Sequence, residues 1–150
     1  MSKTDSLILY ILDDDKQYAG LLQKVAEKAG WLVVNEQSAL NFINKPLPQD
    51  LVLVLDLMMP ELDGIEVIRH LIKEQVNLTL ILISGVDQRT LHSAQVLAQA
   101  YDVNVITSFT KPVSLKRFTE AINSISQSPS TQKNQMLYIC HLLKILPKLY

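Results

Sequence analysis

Three consecutive carboxylates, Asp13, Asp14 and Asp15, a separate one at Asp56, a hydroxyl at Ser84 and an ammonium group at Lys111 are the side chains best placed for chemistry in this 150-residue sequence. Each stands where an apolar run stops: "ILYILDDD", "LVLVLDLMMPELDG", "LILISG" and "VITSFTKP". Residues 51–55 lead directly into Asp56, and an apolar run of that length bounded by turn signals reads as a strand buried on both faces. Pro60 and the pair Asp63-Gly64 interrupt regular structure soon afterwards, so Asp56 falls where a strand gives way to a loop. Carboxylates gathered in such a place repel one another and hold protons unless a cation offsets them. A donor set made only of oxygen suits Mg²⁺, which takes a few carboxylates and keeps several waters.

The order of elements is what brings these residues together. Residues 7–12, 31–35, 51–55, 78–83 and 103–106 read as strands, rich in aliphatic and β-branched side chains. A helical period lies between the first two, with apolar residues at 18, 21, 22, 25 and 29 ahead of Gly30, which suits a helix C-terminus. The same period recurs in "IEVIRHLIKE", "TLHSAQVLAQAY" and "SLKRFTEAINSI", the last opened by Ser114 as N-cap, and most weakly in "SALNFINK". Alternating strands and helices predict an α/β fold, a doubly wound five-stranded parallel sheet of order 2-1-3-4-5 with helices on both faces. In a parallel sheet all strand C-termini face one way. The acidic run 13–15, Asp56, Ser84 and Lys111 therefore converge on one crevice.

Bulk composition narrows the partners. With 48% hydrophobic residues the chain can bury a full core, and a net charge of −1 gives no basic footprint for nucleic acid. Cys140 stands alone, which excludes an intrachain disulfide and suits a reducing cytoplasm. The N-terminal run "LILYIL" is too short for a membrane span or signal peptide. A polar stretch, "SQSPSTQKNQ", divides the chain into a domain at 1–126, a linker at 127–135 and an apolar, basic tail at 136–150. In that tail His141, Lys144 and Lys148 fall at i, i+3 and i+7 and would line one face of a helix, although Pro147 would disturb its last turn. Such a helix would pack on its own domain or on a second copy in a homodimer, and the alternative reading is a membrane-surface or output-docking segment.

"ILDDD", "LDLMMPELDG", "LISG" and "TKP", in that order and at these intervals over about residues 7–126, closely resemble the receiver domain of two-component response regulators, with its flavodoxin-like fold. The resemblance implies that Asp56 accepts a phosphoryl group from a phosphohistidine on a sensor histidine kinase or a histidine phosphotransfer protein. A conformational change then alters binding to an output domain or partner. It further implies that Asp14 and Asp56 ligate Mg²⁺ together with the backbone carbonyl of Met58, and that Asp13 acts mainly through water. By the same resemblance, Lys111 would meet the phosphoryl oxygens, Ser84 would swing toward them, and the bond before Pro112 would be cis. Asp15 is expected to cap the first helix instead of binding metal. His70 and His92 read as ordinary surface residues.

One position departs from the family pattern. Three residues before the lysine most receivers have an aromatic ring that moves inward on activation, and here that residue is Ser108. Phe109 alternates to the opposite face of the strand and is a poor substitute. The segment 83–112 also resembles receivers attached to EAL-type cyclic di-GMP phosphodiesterases, which tend to lack the aromatic. Two rival functions remain. One is a Mg²⁺-dependent haloacid-dehalogenase-type phosphohydrolase, suggested by the D-x-D of Asp13 and Asp15, although only Glu120 follows Lys111 where that family has an acidic pair. The other is a pseudo-receiver that binds without being phosphorylated, although neither the acidic pair, the acceptor nor the lysine is lost.

Overall fold

The computed structural model describes residues 7–85 and 88–127. Strands and helices alternate as β1 (Ile8–Leu12), α1 (Lys16–Lys28), β2 (Leu32–Glu36), α2 (Ala39–Asn44) and β3 (Asp50–Asp56), then α3 (Gly64–Lys73), β4 (Asn77–Ser84), α4 (Gln88–Ala100), β5 (Asn104–Thr110) and α5 (Leu115–Ser126). Every strand pair is parallel and the sheet runs β2-β1-β3-β4-β5, the order expected from sequence.

Strand alternation splits the core into two layers. Leu9, Ile11, Val52, Val54, Ile81 and Ile83 face α1 and α5. Leu12, Leu51, Leu53, Leu55, Leu80 and Leu82 face α2, α3 and α4. Because β3 is covered on both sides, residues 51–55 show no polar alternation. Each of these side chains gains about 1.5–3 kcal/mol from leaving water. A slip of one residue would turn a whole strand's side chains to the wrong layer. The registers that align the strand ends are thus set by the core and not by the polar groups at the edge.

Among the described residues, side-chain caps open α1 (Asp15), α2 (Ser38), α3 (Asp63) and α5 (Ser114). Gly30 follows α1 with φ +96, a left-handed turn that a side chain would strain.

The boundaries differ from the sequence expectation in three informative places. β5 runs to Thr110 instead of stopping at 106, because Thr107, Ser108, Phe109 and Thr110 continue the ladder to β4 although three of the four are polar. As an edge strand, β5 tolerates polar residues that a central strand would not. Trp31 precedes β2 and turns into the core beside α1 instead of opening the strand. In α1 the buried stripe is Ala19, Leu22 and Ala26, flanked by Tyr18, Val25 and Ala29, while Leu21, counted as apolar face from its spacing, is exposed. Except for Gln127, the expected linker at 127–135 and tail at 136–150 lie outside the described residues.

Candidate functional site

The C-terminal ends of β1, β3, β4 and β5 are adjacent in the sheet, and each presents a residue singled out from sequence. Asp56 closes β3 and Ser84 closes β4, both buried. Asp13, also buried, follows β1, with exposed Asp14 next to it. Lys111 follows β5 and its side chain is 23% exposed. Backbone bonds fix these ends together. The Asp13 N–H donates to the Glu36 carbonyl (3.1 Å), Leu57 to Ile83 (2.9 Å) and Lys111 to Ser84 (2.9 Å).

Lys111 Nζ lies between two carboxylates, 2.9 Å from Asp56 Oδ2 and 3.1 Å from Asp13 Oδ2. The remaining oxygens face backbone donors. Asp56 Oδ1 accepts from the Met58 N–H (3.0 Å), and Asp13 Oδ1 accepts from the Asp15 N–H (2.9 Å). Met58 therefore meets Asp56 through its backbone, while its thioether side chain is exposed.

Burial pushes the Asp13 carboxyl up to about 6, and the neighbouring Asp56 charge adds to this against the opposing bonds from the Asp15 N–H and Lys111. For Lys111, burial acts to lower the pKa, but the hydrogen bonds and charges of Asp56 and Asp13 outweigh it and leave the ammonium group raised. The pocket thus holds more negative charge than one lysine offsets.

Asp13, Asp14 and Asp56 each offer a carboxylate oxygen, and these oxygens all lie within 4.8 Å of one another. An all-oxygen set this close, with one member kept basic by burial, fits a hard divalent cation such as Mg²⁺. Asp15 takes no part in this cluster. Its Oδ1 accepts from the Tyr18 N–H (3.1 Å) and caps α1, so the run of three aspartates divides two to one between site and helix. Asp13 and Asp15 consequently do not form the shared D-x-D site of a haloacid-dehalogenase-type hydrolase.

Ser84 Oγ is fully buried and has no hydrogen-bond partner among the described residues. The peptide bond between Lys111 and Pro112 is cis. His70 and His92 lie on α3 and α4, half-buried and exposed respectively.

Three contributors were not assigned these roles from sequence. Gly64, taken there only as a breaker, starts α3 against the end of β3: its N–H donates to the Leu57 carbonyl (3.0 Å), and a Cβ would sit 2.7 Å from Leu57 Cα. Tyr18, taken as one more apolar position on a helix, places its ring 4.7 Å from Lys111 Nζ and accepts the Val113 N–H at its hydroxyl (2.9 Å). Gln95 in α4 reaches Ser108 in β5. Neither side-chain contact has a local sequence signal, since the partners are far apart in the chain.

This sheet order with its cluster of strand-end carboxylates and a lysine defines a class, and the chain belongs to it: residues 9–123 match the response regulator receiver domain family. The chain is 31% identical over 121 residues to the chemotaxis protein CheY of Thermotoga maritima, a match covering 78% of this chain and 95% of CheY. It is 26% identical over 117 residues to sporulation initiation phosphotransferase F of Bacillus subtilis, covering 76% and 89% of the two chains. Among solved structures, a response regulator from Colwellia psychrerythraea superposes with a TM-score of 0.71 at 41% identity, covering 80% of this chain and 96% of that one.

The protein is thus a receiver domain of the two-component response regulators, a family that binds Mg²⁺ in an acidic pocket and works with histidine kinases and output domains. Neither the phosphohydrolase nor the pseudo-receiver alternative is supported. Among the described residues, no helix is long and apolar enough to cross a membrane.

Proposed function

We propose that Asp56 is the phosphoacceptor, taking a phosphoryl group from a phosphohistidine on a sensor histidine kinase or a histidine phosphotransfer protein in the cytoplasm. The observation that supports this most is the placement of Lys111 Nζ 2.9 Å from Asp56 Oδ2, in a pocket that also gathers Asp13 and Asp14. A carboxylate oxygen of Asp56 attacks phosphorus in line. The phosphorus–nitrogen bond breaks, and its electron pair stays on the imidazole nitrogen of the donor.

Asp14, Asp56 and the Met58 carbonyl would hold Mg²⁺, with Asp13 acting mainly through water. When bound, the ion supplies positive charge to the phosphoryl oxygens. Lys111, already in the pocket, exchanges its pairing with Asp56 for pairing with the new phosphate. Ser84 can turn its hydroxyl toward the same group without breaking any hydrogen bond among the described residues. The change is passed to an output domain or partner. The likeness of 83–112 to receivers attached to EAL-type phosphodiesterases makes a cyclic di-GMP-degrading domain the first output to test.

Incubation with acetyl phosphate and Mg²⁺ should add one phosphoryl group, seen by intact-mass analysis. Asp56→Asn should abolish the addition, because an amide has neither the nucleophilic charge nor the metal affinity of the carboxylate. Equal labelling of the Asn variant would overturn the assignment.

A further inference from the structure

We propose that Tyr18 is a positioning residue for the phosphoryl site, its ring supporting the Lys111 ammonium group and its hydroxyl fixing the turn that follows Lys111. This rests on the reading of Asp56 as phosphoacceptor and Lys111 as its counter-charge.

Lysine is a mobile point charge on a four-carbon stem, and it loses freedom when held in one geometry. Three neighbours hold Nζ here: Asp56 Oδ2, Asp13 Oδ2 and the face of Tyr18, whose centroid is 4.7 Å away. That distance is well inside the range for a cation over an aromatic ring. The three neighbours are not equivalent over the reaction cycle. Phosphorylation converts the Asp56 carboxylate to an acyl phosphate, and a bound cation competes for the charge of Asp13. The Tyr18 ring is unchanged by either event, so it is the constant support of the ammonium group.

The hydroxyl acts on the other side of the lysine. It accepts the Val113 N–H at 2.9 Å, which ties the first turn of α1 to the segment between β5 and α5. Tyr18 is itself set by the acidic cluster, because its backbone N–H donates to Asp15, whose own N–H donates to Asp13. One chain of bonds thus runs from the Asp13 carboxylate through the cap of α1 to Val113. The packing of Tyr18 against the α1–α5 core layer keeps the ring in place.

The full chain is compared as wild type, Tyr18→Phe and Tyr18→Leu, with Mg²⁺ affinity and beryllofluoride affinity in saturating Mg²⁺ measured separately. Beryllofluoride binding reports the phosphoryl pocket without any turnover. Tyr18→Leu should weaken beryllofluoride about 5- to 10-fold, the size expected of a cation–π contact, and leave Mg²⁺ affinity within about 2-fold of wild type. Tyr18→Phe keeps the ring and should restore beryllofluoride affinity while speeding amide exchange at Val113.

Unchanged beryllofluoride affinity in Tyr18→Leu would overturn the role of the ring, as would a Phe variant as weak as the Leu variant. Unchanged exchange at Val113 in the Phe variant would overturn the role of the hydroxyl. If Tyr18→Leu does not fold, Tyr18→Met keeps bulk without a ring and is held to the same outcomes. Wild type and Asp56→Asn binding beryllofluoride equally would instead sink the phosphoacceptor reading.

Discussion

Gln95 Nε2 donates to Ser108 Oγ across 2.8 Å, joining α4 to β5 at the position where most receivers present an aromatic ring. Phe109, the next residue, is buried on the opposite layer under the Arg117 guanidinium and does not take that ring's place. A serine has too little volume for displacement to act as a switch. We propose that coupling runs instead from Ser84, whose carbonyl accepts the Lys111 N–H, and along β5 to the Gln95 contact.

Ser84→Ala should therefore leave Asp56 labelling intact and abolish the beryllofluoride-dependent change in amide protection over residues 88–111. Phe109→Ala should cost about 3–5 kcal/mol of stability and keep that change. The idea fails if Phe109→Ala removes the protection change and Ser84→Ala does not.

The division of the three aspartates sets up opposite phenotypes. Asp14 contributes an exposed oxygen to the cluster with Asp13 and Asp56, whereas Asp15 is spent on the Tyr18 N–H. Asp14→Ala should lower Mg²⁺ affinity and slow phosphorylation with little loss of stability. Asp15→Ala should cost about 1 kcal/mol of stability, the usual value for a lost N-cap, and affect Mg²⁺ less. Calorimetric Mg²⁺ titration beside thermal melting separates the two, and a larger affinity loss in the Asp15 variant would contradict the arrangement.

Gly64→Ala should destabilise the protein even though alanine is the better helix former by about 1 kcal/mol. The added Cβ would meet Leu57 Cα, a backbone atom at the end of β3 that has no rotamer to adjust. Overpacking of this kind costs about 1–3 kcal/mol, and the strain falls one residue from Asp56. Urea unfolding of the variant should show a lower midpoint with an unchanged slope. A raised midpoint would mean that α3 can withdraw from the strand end without cost.

The sheet order and the strand-end residues were legible because they are written as local patterns. A buried central strand such as 51–55 is a continuous apolar run, and the break after it marks the strand end. The far half of β5 was not legible, since Thr107 and Ser108 look like loop residues until their pairing with β4 is known. Leu21 was misplaced for a related reason: spacing finds an apolar stripe but not which edge of it meets the core. Tyr18, Gln95 and the tight fit at Gly64 depend on partners distant in sequence, so nothing local announces them.

Asp13 makes the stability of the metal-free domain depend on pH. Its carboxyl, near 3.8 by nature, is raised to about 6 by burial and by the Asp56 charge. Between these values the folded state binds more protons at this site than the unfolded state. Stability from this group is therefore greatest in acid and is lost as pH rises through 6. Asn at position 13 can still accept the Asp15 N–H but carries no charge, and Asp56 still pairs Lys111. Asp13→Asn should accordingly raise the melting temperature of the Mg²⁺-free protein at pH 7, by a margin that shrinks as pH falls below 6. The same substitution should weaken Mg²⁺ binding, so that saturating Mg²⁺ stabilises wild type more than the variant. Melting curves at pH 5 and 7, with and without Mg²⁺, provide the check. An Asn variant less stable than wild type at pH 7 without metal would show that Asp13 is a net stabilising partner of Lys111 and not a charge held in place for the cation.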